Sequence, residues 1–549
     1  MTINDKMTLL KNPQTRIQAW EEAKQATPER MLRARAALEE IRDGAAVFEA
    51  ISHHPLDGGG FVGKQVLVAA YRQLVESGAW AEEPGLLARI RLKPMRSLSG
   101  VSVVTALTKP YPCPGKCVFC PTDVRMPKSY LPDEPGAMRA LQHDFDPYAP
   151  VRSRLDALEA VGHPTDKIEL LILGGTWSSY KREYQEEFVL RMFDALNGVR
   201  FQTLAEAQQY NETAAHRSVG LAIETRPDHV DQDEIAWLRY LGVTKVQLGA
   251  QSFDDYILEL NKRGHSAAET RRAADLLRAA GFKIVLHWMP NLLGATLAGD
   301  RADFLKLWDG YCPDELKIYP TQLLENAELY LNWQRGEYHP YSTQELMELL
   351  ADLKATIPEY CRVNRVIRDI PSTNVVEGNK RTSLRMDVHA IMKARGQKCH
   401  CIRCREVKGS DVEVDTLLLK DLVYNAGSAE EHFLSFVTQQ DRLAGFLRLS
   451  LPGSGSPATG LADLDGAALV REVHVYGQSL DLGAEQSGAA QHSGLGTRLL
   501  SRAEELAGAA GYARMAVIAA VGTRGYYAGR GYRMGDTYMV KALSTAVSF

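Results

Sequence analysis

The chain has 549 residues, 45% apolar and 24% charged, with a net charge of −4. That length exceeds one hydrophobic core and predicts three or four domains, and the composition excludes disordered and fibrous classes. The N-terminus is polar and no apolar run is long enough for a bilayer, which predicts a cytoplasmic protein with no membrane role. Six of the eight cysteines fall in two tight groups, at 113, 117, 120 and at 399, 401, 404. Such grouping fits a reducing compartment and reads as metal sites rather than disulfides.

In chain order, residues 1–80 read as helical. Pro28-Glu29-Arg30 opens an apolar-periodic run through Met31, Leu32, Ala36 and Leu38 to Ile41, and Val66, Leu67, Tyr71 and Leu74 mark a second one. The glycine-rich turn between them, Gly58 to Lys64, does not match a phosphate-binding P-loop.

From about 98 to 320, within a domain expected over residues 81–395, short β-branched runs alternate with helical patterns. The runs are Val101–Leu107, Ile168–Leu173, Val219–Ile223, Lys245–Leu248, Lys283–His287 and Leu316–Tyr319. Six β-α units predict an α/β fold with a parallel, partial (β/α)6 barrel, whose chemistry belongs at the C-terminal strand ends. The loop after the first run carries Cys113, Cys117 and Cys120 at C-x3-C-x2-C spacing. Three thiolates can hold three irons of a [4Fe–4S] cluster and leave the fourth iron open, whereas electron-transfer clusters usually take four cysteines. S-adenosylmethionine can chelate an open iron and be cleaved there to a radical. A structural zinc knuckle would need a fourth ligand, and no further Cys or His lies close by.

The other strand ends fit the same rim. Gly174 and Gly175 let backbone approach a ligand's amino group, Glu224 suits ribose hydroxyls, and Arg226 suits a carboxylate. Between Gly85 and Tyr130 there are eight Lys or Arg against one acid, and between Lys393 and Lys408 six against Glu406. Both basic stretches flank a cysteine group and could face a polyanion; a solvated charged face is the alternative.

Residues 396–410 hold Cys399, Cys401 and Cys404, three soft ligands within six residues. Structural Zn2+ is expected, its fourth ligand drawn from His400, His389, Cys361 or Cys312. From 411 to 549 the pattern changes to strand-like runs at Thr416–Leu419, Ala444–Leu451 and Leu469–Val475, then Gln491-x-x-Gly494-x-Gly496 opening an amphipathic helix, then Met515–Ala519. Bare amides at such a helix N-terminus can take a pyrophosphate. With Tyr526-Tyr527 and Gly531-Tyr532 beyond it, this order resembles the acetyl-CoA site of the GNAT acetyltransferases.

The two halves together resemble the catalytic subunit of Elongator, a tRNA wobble-uridine carboxymethylating family. The resemblance covers nearly the whole chain. It rests on Thr108-Lys109-Pro110, the cysteine loop, Pro127–Tyr130, Leu173–Thr176, Glu224–Asp228, Met289–Asn291, Leu316–Thr321 and Arg368–Pro371, then on Arg403–Val407, Glu472–Gly477, Gln491–Gly494 and Tyr538–Lys541. It implies a deoxyadenosyl radical that takes a hydrogen atom from the methyl group of acetyl-CoA. The carbon radical then adds to C5 of the first anticodon uridine, and thioester hydrolysis leaves 5-carboxymethyluridine. It also implies acetyl-CoA contacts at Lys167, at Glu472, Val473, His474 and Val475, at Leu495, Gly496 and Thr497, and at Tyr527. A tRNA-binding role for residues 1–80 and an external electron donor follow as well. The compact cysteine spacing and the second cysteine group suggest a bacterial-type member, which would act without other Elongator subunits and could pair as a homodimer. The competing reading is a protein lysine N-acetyltransferase with a structural iron–sulfur cluster, in which Tyr526 or Tyr527 would be the acid at the thiolate.

Overall fold

A computed structural model of the chain describes residues 25–92, 100–408, 412–476 and 494–543. The chain divides into two units, one of residues 1–98 with 153–165, the other of 99–152 with 166–549. In the first unit, helices Pro28–Arg42 and Lys64–Glu76 form where the periodic runs predict them, and Val47–His53 and Pro84–Ile90, which no run marks, join them. The Thr27 side chain caps the first helix by accepting from the Arg30 amide, and Pro28 occupies its first turn without losing a bond. Ala34, Leu38 and Ile41 of that helix share a core with Val66, Leu67 and Tyr71. The helical reading of residues 1–24 lies outside the described residues.

The second unit holds two seven-stranded sheets among its described residues. The first is parallel and runs in sequence order: β1 (Ser102–Leu107), β2 (Lys167–Leu173), β3 (Arg217–Thr225), β4 (Lys245–Gln251), β5 (Lys283–Trp288), β6 (Glu315–Ile318) and β7 (Arg362–Arg365). Parallel neighbours need crossovers, and helices such as Arg182–Asn197 and Ala267–Ala279 supply them. β2 shows the two-sided character of its strands. Ile168, Leu170 and Ile172 are buried, while Lys167, Glu169, Leu171 and Leu173 on the other face are only half-buried. Six strands stand where the sequence predicts them. The seventh, β7, reads Arg-Val-Asn-Arg and carries one apolar residue, so it has no hydrophobic signal; it is fixed by pairing Arg362 with Glu315 of β6.

The second sheet is mixed, in the order β13-β14-β12-β11-β10-β9-β8. Its strands are β8 (Leu418–Ala426), β9 (Ala429–Val437), β10 (Leu443–Pro452), β11 (Ala467–Val475), β12 (Arg514–Val517), β13 (Arg533–Met534) and β14 (Met539–Ala542). Only β11 and β12 pair in parallel, and helix Leu495–Ala509 lies in their crossover with Leu495, Leu499, Leu500, Ala503 and Ala507 buried. β9 escapes a hydropathy reading because Glu430, Glu431 and His432 interrupt it.

The mixed sheet docks on the N-terminal ends of the barrel strands. Arg471 donates to both carboxylate oxygens of Asp314, at 2.5 and 2.8 Å, and to the Phe282 carbonyl at 2.8 Å. Arg448 reaches Asp314 at 3.3 Å and donates to the Tyr360 carbonyl at 2.8 Å. Lys283, the first residue of β5, pairs with Glu472, and the Tyr538 hydroxyl donates to the Ala280 carbonyl at 2.7 Å. Burial alone would raise the Asp314 carboxyl, but the guanidinium groups of Arg471, Arg448 and Arg278 hold it down at about 2. Buried charges persist when paired this fully.

Candidate active site

The cysteine loop leaves β1 at the C-terminal end of the barrel. Cys117 is buried, Cys113 and Cys120 half-buried. The Gly115 amide donates to the Cys113 sulfur at 3.4 Å, and the Thr176 hydroxyl lies 3.7 Å from it. Arg263 donates to the Cys117 sulfur at 3.3 Å and, through its other terminal nitrogen, to the Gly249 carbonyl at 2.5 Å. The Cys117 thiol is drawn well below its ordinary value by its hydrogen bond to Cys120, with Arg263 and Arg226 assisting against burial. Thiolate character is what metal ligation requires.

Arg226 follows β3 and is held by Asp228 at 2.8 and 2.9 Å. Its remaining nitrogen, Nη1, is buried and has no hydrogen-bond partner among the described residues. It would lie 2.5 Å from a Cβ at position 115, so glycine there admits it to the cysteine loop. A buried guanidinium with an unspent donor beside three cysteines suits an anionic group. On this ground the residues fit a cysteine-held cluster and a carboxylate-bearing ligand.

Glu224 is more committed than the sequence suggested. It accepts from Lys317 at 3.0 Å and from the Tyr130 hydroxyl at 3.0 Å, with His287 3.9 Å away. Burial opposes its ionisation, but Lys317 and the neighbouring groups lower its pKa overall. Gly174 sits at φ 142°, and a Cβ there would collide with the Thr108 hydroxyl at 1.8 Å, so β2 could not leave past β1 with any other residue. Gly175 follows with its Cβ direction toward Lys128 at 3.8 Å. Tyr130 and Lys317 fall in segments that carry the family resemblance and His287 ends a predicted strand, but sequence reasoning assigned no role to them or to Arg263.

The second constellation lies at the other end of the barrel. Pairing of β11 with β12 stops at Val470 and Val517, so Glu472, Val473, His474 and Val475 continue without that neighbour. His474 lies against Phe446 and Tyr476, and its Nε2 is buried with no hydrogen-bond partner among the described residues. Burial pushes its pKa down to about 4, leaving a neutral ring at pH 7. Gly494, at φ 74°, caps the helix that begins Leu495-Gly496-Thr497. A Cβ on Gly496 would meet the Tyr526 hydroxyl at 2.7 Å, so that ring is packed onto the helix N-terminus. Arg530 stacks on Tyr526 at 3.6 Å and donates to the Thr497 hydroxyl at 2.8 Å. Tyr527 is buried, edge-on to Tyr526 at 5.2 Å. Lys167 opens β2 beside Asp166, at 3.9 Å. Gly522 of the mixed sheet's region abuts Arg217 and Ser218 at the start of the neighbouring β3. Gln491 lies outside the described residues.

Cys399, Cys401 and Cys404 converge, their sulfurs within 4.8 Å of one another. Four-coordinate zinc with sulfur at about 2.3 Å sets its ligand atoms roughly 3.8 Å apart. Among the four candidates for the remaining position, His389 brings Nε2 to 3.9 Å from the Cys404 sulfur. His400 is exposed, Cys361 is buried with its carbonyl accepting from the Ile402 amide, and Cys312 faces the Trp308 and Asn425 carbonyls. The three thiols with His389 fit a structural zinc.

Several of the basic residues are already paired. Arg91 donates to the Gly162 carbonyl, Arg125 pairs with Asp123, Arg395 with Glu348 and Asp352, and Arg405 with Asp441 and Glu359. Lys109, Lys116, Lys393 and Lys398 remain exposed. Lys93 and Arg96 lie outside the described residues.

A parallel barrel with a three-cysteine loop at its strand ends defines a radical S-adenosylmethionine enzyme, and a GNAT-like mixed sheet follows it in the chain. Residues 111–306 match the Radical SAM superfamily, and residues 313–394 match the Radical_SAM C-terminal domain. A Dehalococcoides mccartyi protein named tRNA uridine(34) acetyltransferase is 44% identical over 82% of this chain and 99% of its own length. Human Elongator complex protein 3 is 35% identical over 83% of this chain and 87% of its own. The solved structure of Methanocaldococcus infernus Elp3 with an N-terminal deletion covers 81% of this chain and 100% of its own, at 37% identity and a TM-score of 0.71. The chain belongs to the family of Elongator complex protein 3 and the tRNA uridine(34) acetyltransferases.

Proposed function

We propose that this chain modifies uridine 34 of tRNA, the first anticodon position, to 5-carboxymethyluridine, drawing the added carbons from acetyl-CoA. The observation that carries this reading is the pairing of a cysteine loop faced by an unspent buried arginine with a GNAT-like helix N-terminus in one chain. Relatives named for tRNA uridine 34 over nearly their whole length support the substrate.

In this reading Cys113, Cys117 and Cys120 hold a [4Fe–4S] cluster. With S-adenosylmethionine bound, that centre supplies one-electron cleavage of a sulfonium and hence a carbon radical able to abstract hydrogen. Arg226, oriented by Asp228, holds the methionyl carboxylate with its spare Nη1, while Gly174, Gly175 and Glu224 border the rest of the ligand. Lys167, Glu472 to Val475 and the amides of Leu495, Gly496 and Thr497 hold acetyl-CoA, the helix dipole favouring its phosphates. His474 presents a neutral imidazole there, and Tyr526 and Tyr527 wall the site. An external donor supplies electrons, and the chain acts in a reducing cytoplasm without other Elongator subunits.

The test is mass spectrometry of tRNA nucleosides from cells with and without this chain. Loss of 5-carboxymethyluridine and its derivatives is expected on deletion; an unchanged nucleoside profile overturns the reading.

Zinc is assigned to Cys399, Cys401, Cys404 and His389 as a clip that ties the end of the barrel region. Replacing Cys401 by Ser is expected to remove the zinc measured by elemental analysis and to lower the melting temperature, with activity falling only in step. Normal zinc content in that variant would refute the clip.

The exposed lysines define the polyanion footprint. Binding to tRNA should weaken with salt, log affinity falling by about 0.7 to 0.9 per phosphate contact per log unit of salt. Lys109→Gln with Lys116→Gln is expected to lower affinity and to reduce that slope by about 1.4 to 1.8, the loss of two contacts. An unchanged slope in filter-binding titrations would leave these lysines as a solvated face.

A further inference from the structure

The two constellations occupy opposite ends of one barrel. The cysteine loop, Glu224 and Arg226 stand at the C-terminal strand ends, whereas Lys283 and Glu315, where the mixed sheet docks, open β5 and β6. Along β5 alone, the rise from Lys283 to His287 is about 13 Å. Hydrogen abstraction needs reacting atoms about 3 to 3.5 Å apart. An acetyl group held at one end must therefore be delivered to the other.

Barrel interiors are ordinarily packed with branched apolar side chains. Here one side of the inner face is polar at every level. At the docking end Lys245 bridges Glu169 at 2.5 Å and Glu315 at 3.2 Å. Midway, Gln247 and His287 meet at 3.3 Å. At the cysteine end Lys317 and Tyr130 converge on Glu224. The His287 ring is pushed down to about 3, chiefly by burial and then by Lys317, so it is a neutral hydrogen-bonding group. The opposite wall is more open: Val103, the second residue of β1, is 45% exposed, and Thr105 and Leu171, paired further along β1 and β2, are only half-buried.

We infer that the barrel interior is the passage through which the acyl-pantetheine arm of the coenzyme reaches the cysteine end. One wall offers hydrogen bonds at Gln247 and His287, and the other offers apolar surface at Val103 and Leu171. That mixture suits a chain bearing two amides and a dimethyl-substituted carbon, and its extended length is comparable to the strands. Gln247 and His287 are positioning residues in this scheme. The inference rests on the reading of acetyl-CoA as co-substrate.

Two measurements test it. The first is alkylation of a Leu171→Cys variant, loaded with its cluster, by bromoacetyl-CoA. The thiolate displaces bromide and forms a thioether, and peptide mass spectrometry locates the adduct. Labelling at position 171, suppressed by excess acetyl-CoA, is expected; labelling by iodoacetamide but not by bromoacetyl-CoA overturns the passage. The second is a Leu171→Trp variant, which should keep its cluster absorbance and calorimetric affinity for CoA. Its transfer of deuterium from trideuteroacetyl-CoA to 5′-deoxyadenosine should fall at least tenfold. Undiminished transfer refutes the route but leaves the functional reading intact. Absence of transfer in the unsubstituted protein strikes the functional reading instead, and the alkylation result still decides the passage.

Discussion

Replacing Cys120 by Ser should abolish the broad iron–sulfur absorbance of anaerobically reconstituted protein and bring tRNA modification to background. Two thiolates and a hydroxyl cannot hold three irons securely. The fold should survive, because Cys120 is only half-buried at the edge of the core cluster of Cys117, Val118 and Phe119, and serine is no larger than cysteine. Circular dichroism and zinc content therefore serve as internal controls. Full cluster content with full activity in this variant would refute the assignment of the loop. Loss of absorbance with activity retained would separate the cluster from the chemistry and favour a structural role.

The second large effect concerns the hydrogens of the acetyl methyl group. Acyl transfer attacks the thioester carbonyl and leaves all three methyl hydrogens in the product. Carbon–carbon bond formation at uridine C5 must remove one. Acetyl-CoA bearing three methyl deuteriums is therefore expected to yield 5′-deoxyadenosine carrying one deuterium, in anaerobic single turnovers with reductant, S-adenosylmethionine and tRNA. Lys167→Ala and Tyr527→Ala should each reduce that transfer with cluster absorbance unchanged. Lys167 stands at the docking end of β2, and Tyr527 is buried against the Tyr526 ring that packs on the N-terminus of helix Leu495–Ala509. Deuterium-free 5′-deoxyadenosine together with fully deuterated acetyl groups on lysines would establish the acetyltransferase in its place.

The architecture was legible where hydrophobic patterning is strong. The first six barrel strands and the GNAT-like order were readable because their buried faces are runs of Val, Ile and Leu. β7 and β9 were not, since tertiary pairing rather than apolar content fixes Arg362–Arg365 and the Glu430–His432 segment. At the site, the cysteines, Arg226 and Glu224 were legible from spacing and from position at strand ends. Their partners were not. Arg263 lies 146 residues beyond the cysteine it touches, and Lys317 lies 93 beyond Glu224. Such contacts exist only once the barrel has closed. Charge counting likewise overstated the basic footprint, because ion pairs to Asp123, Asp352 and Asp441 appear only in the folded chain.

Asp314 belongs to the barrel, yet two of the three guanidinium groups that neutralise it, Arg448 and Arg471, belong to the mixed sheet. Removing one partner from a buried charge cluster typically costs about 3 to 5 kcal/mol. Neither half could be lifted out by gene truncation without baring a seam of charges that have lost their partners. A recombination event that exchanged the mixed-sheet half for another would have to bring matching arginines with it. The lineage is thus held to inheriting both halves together, and sequence drift at this seam can proceed only by paired change.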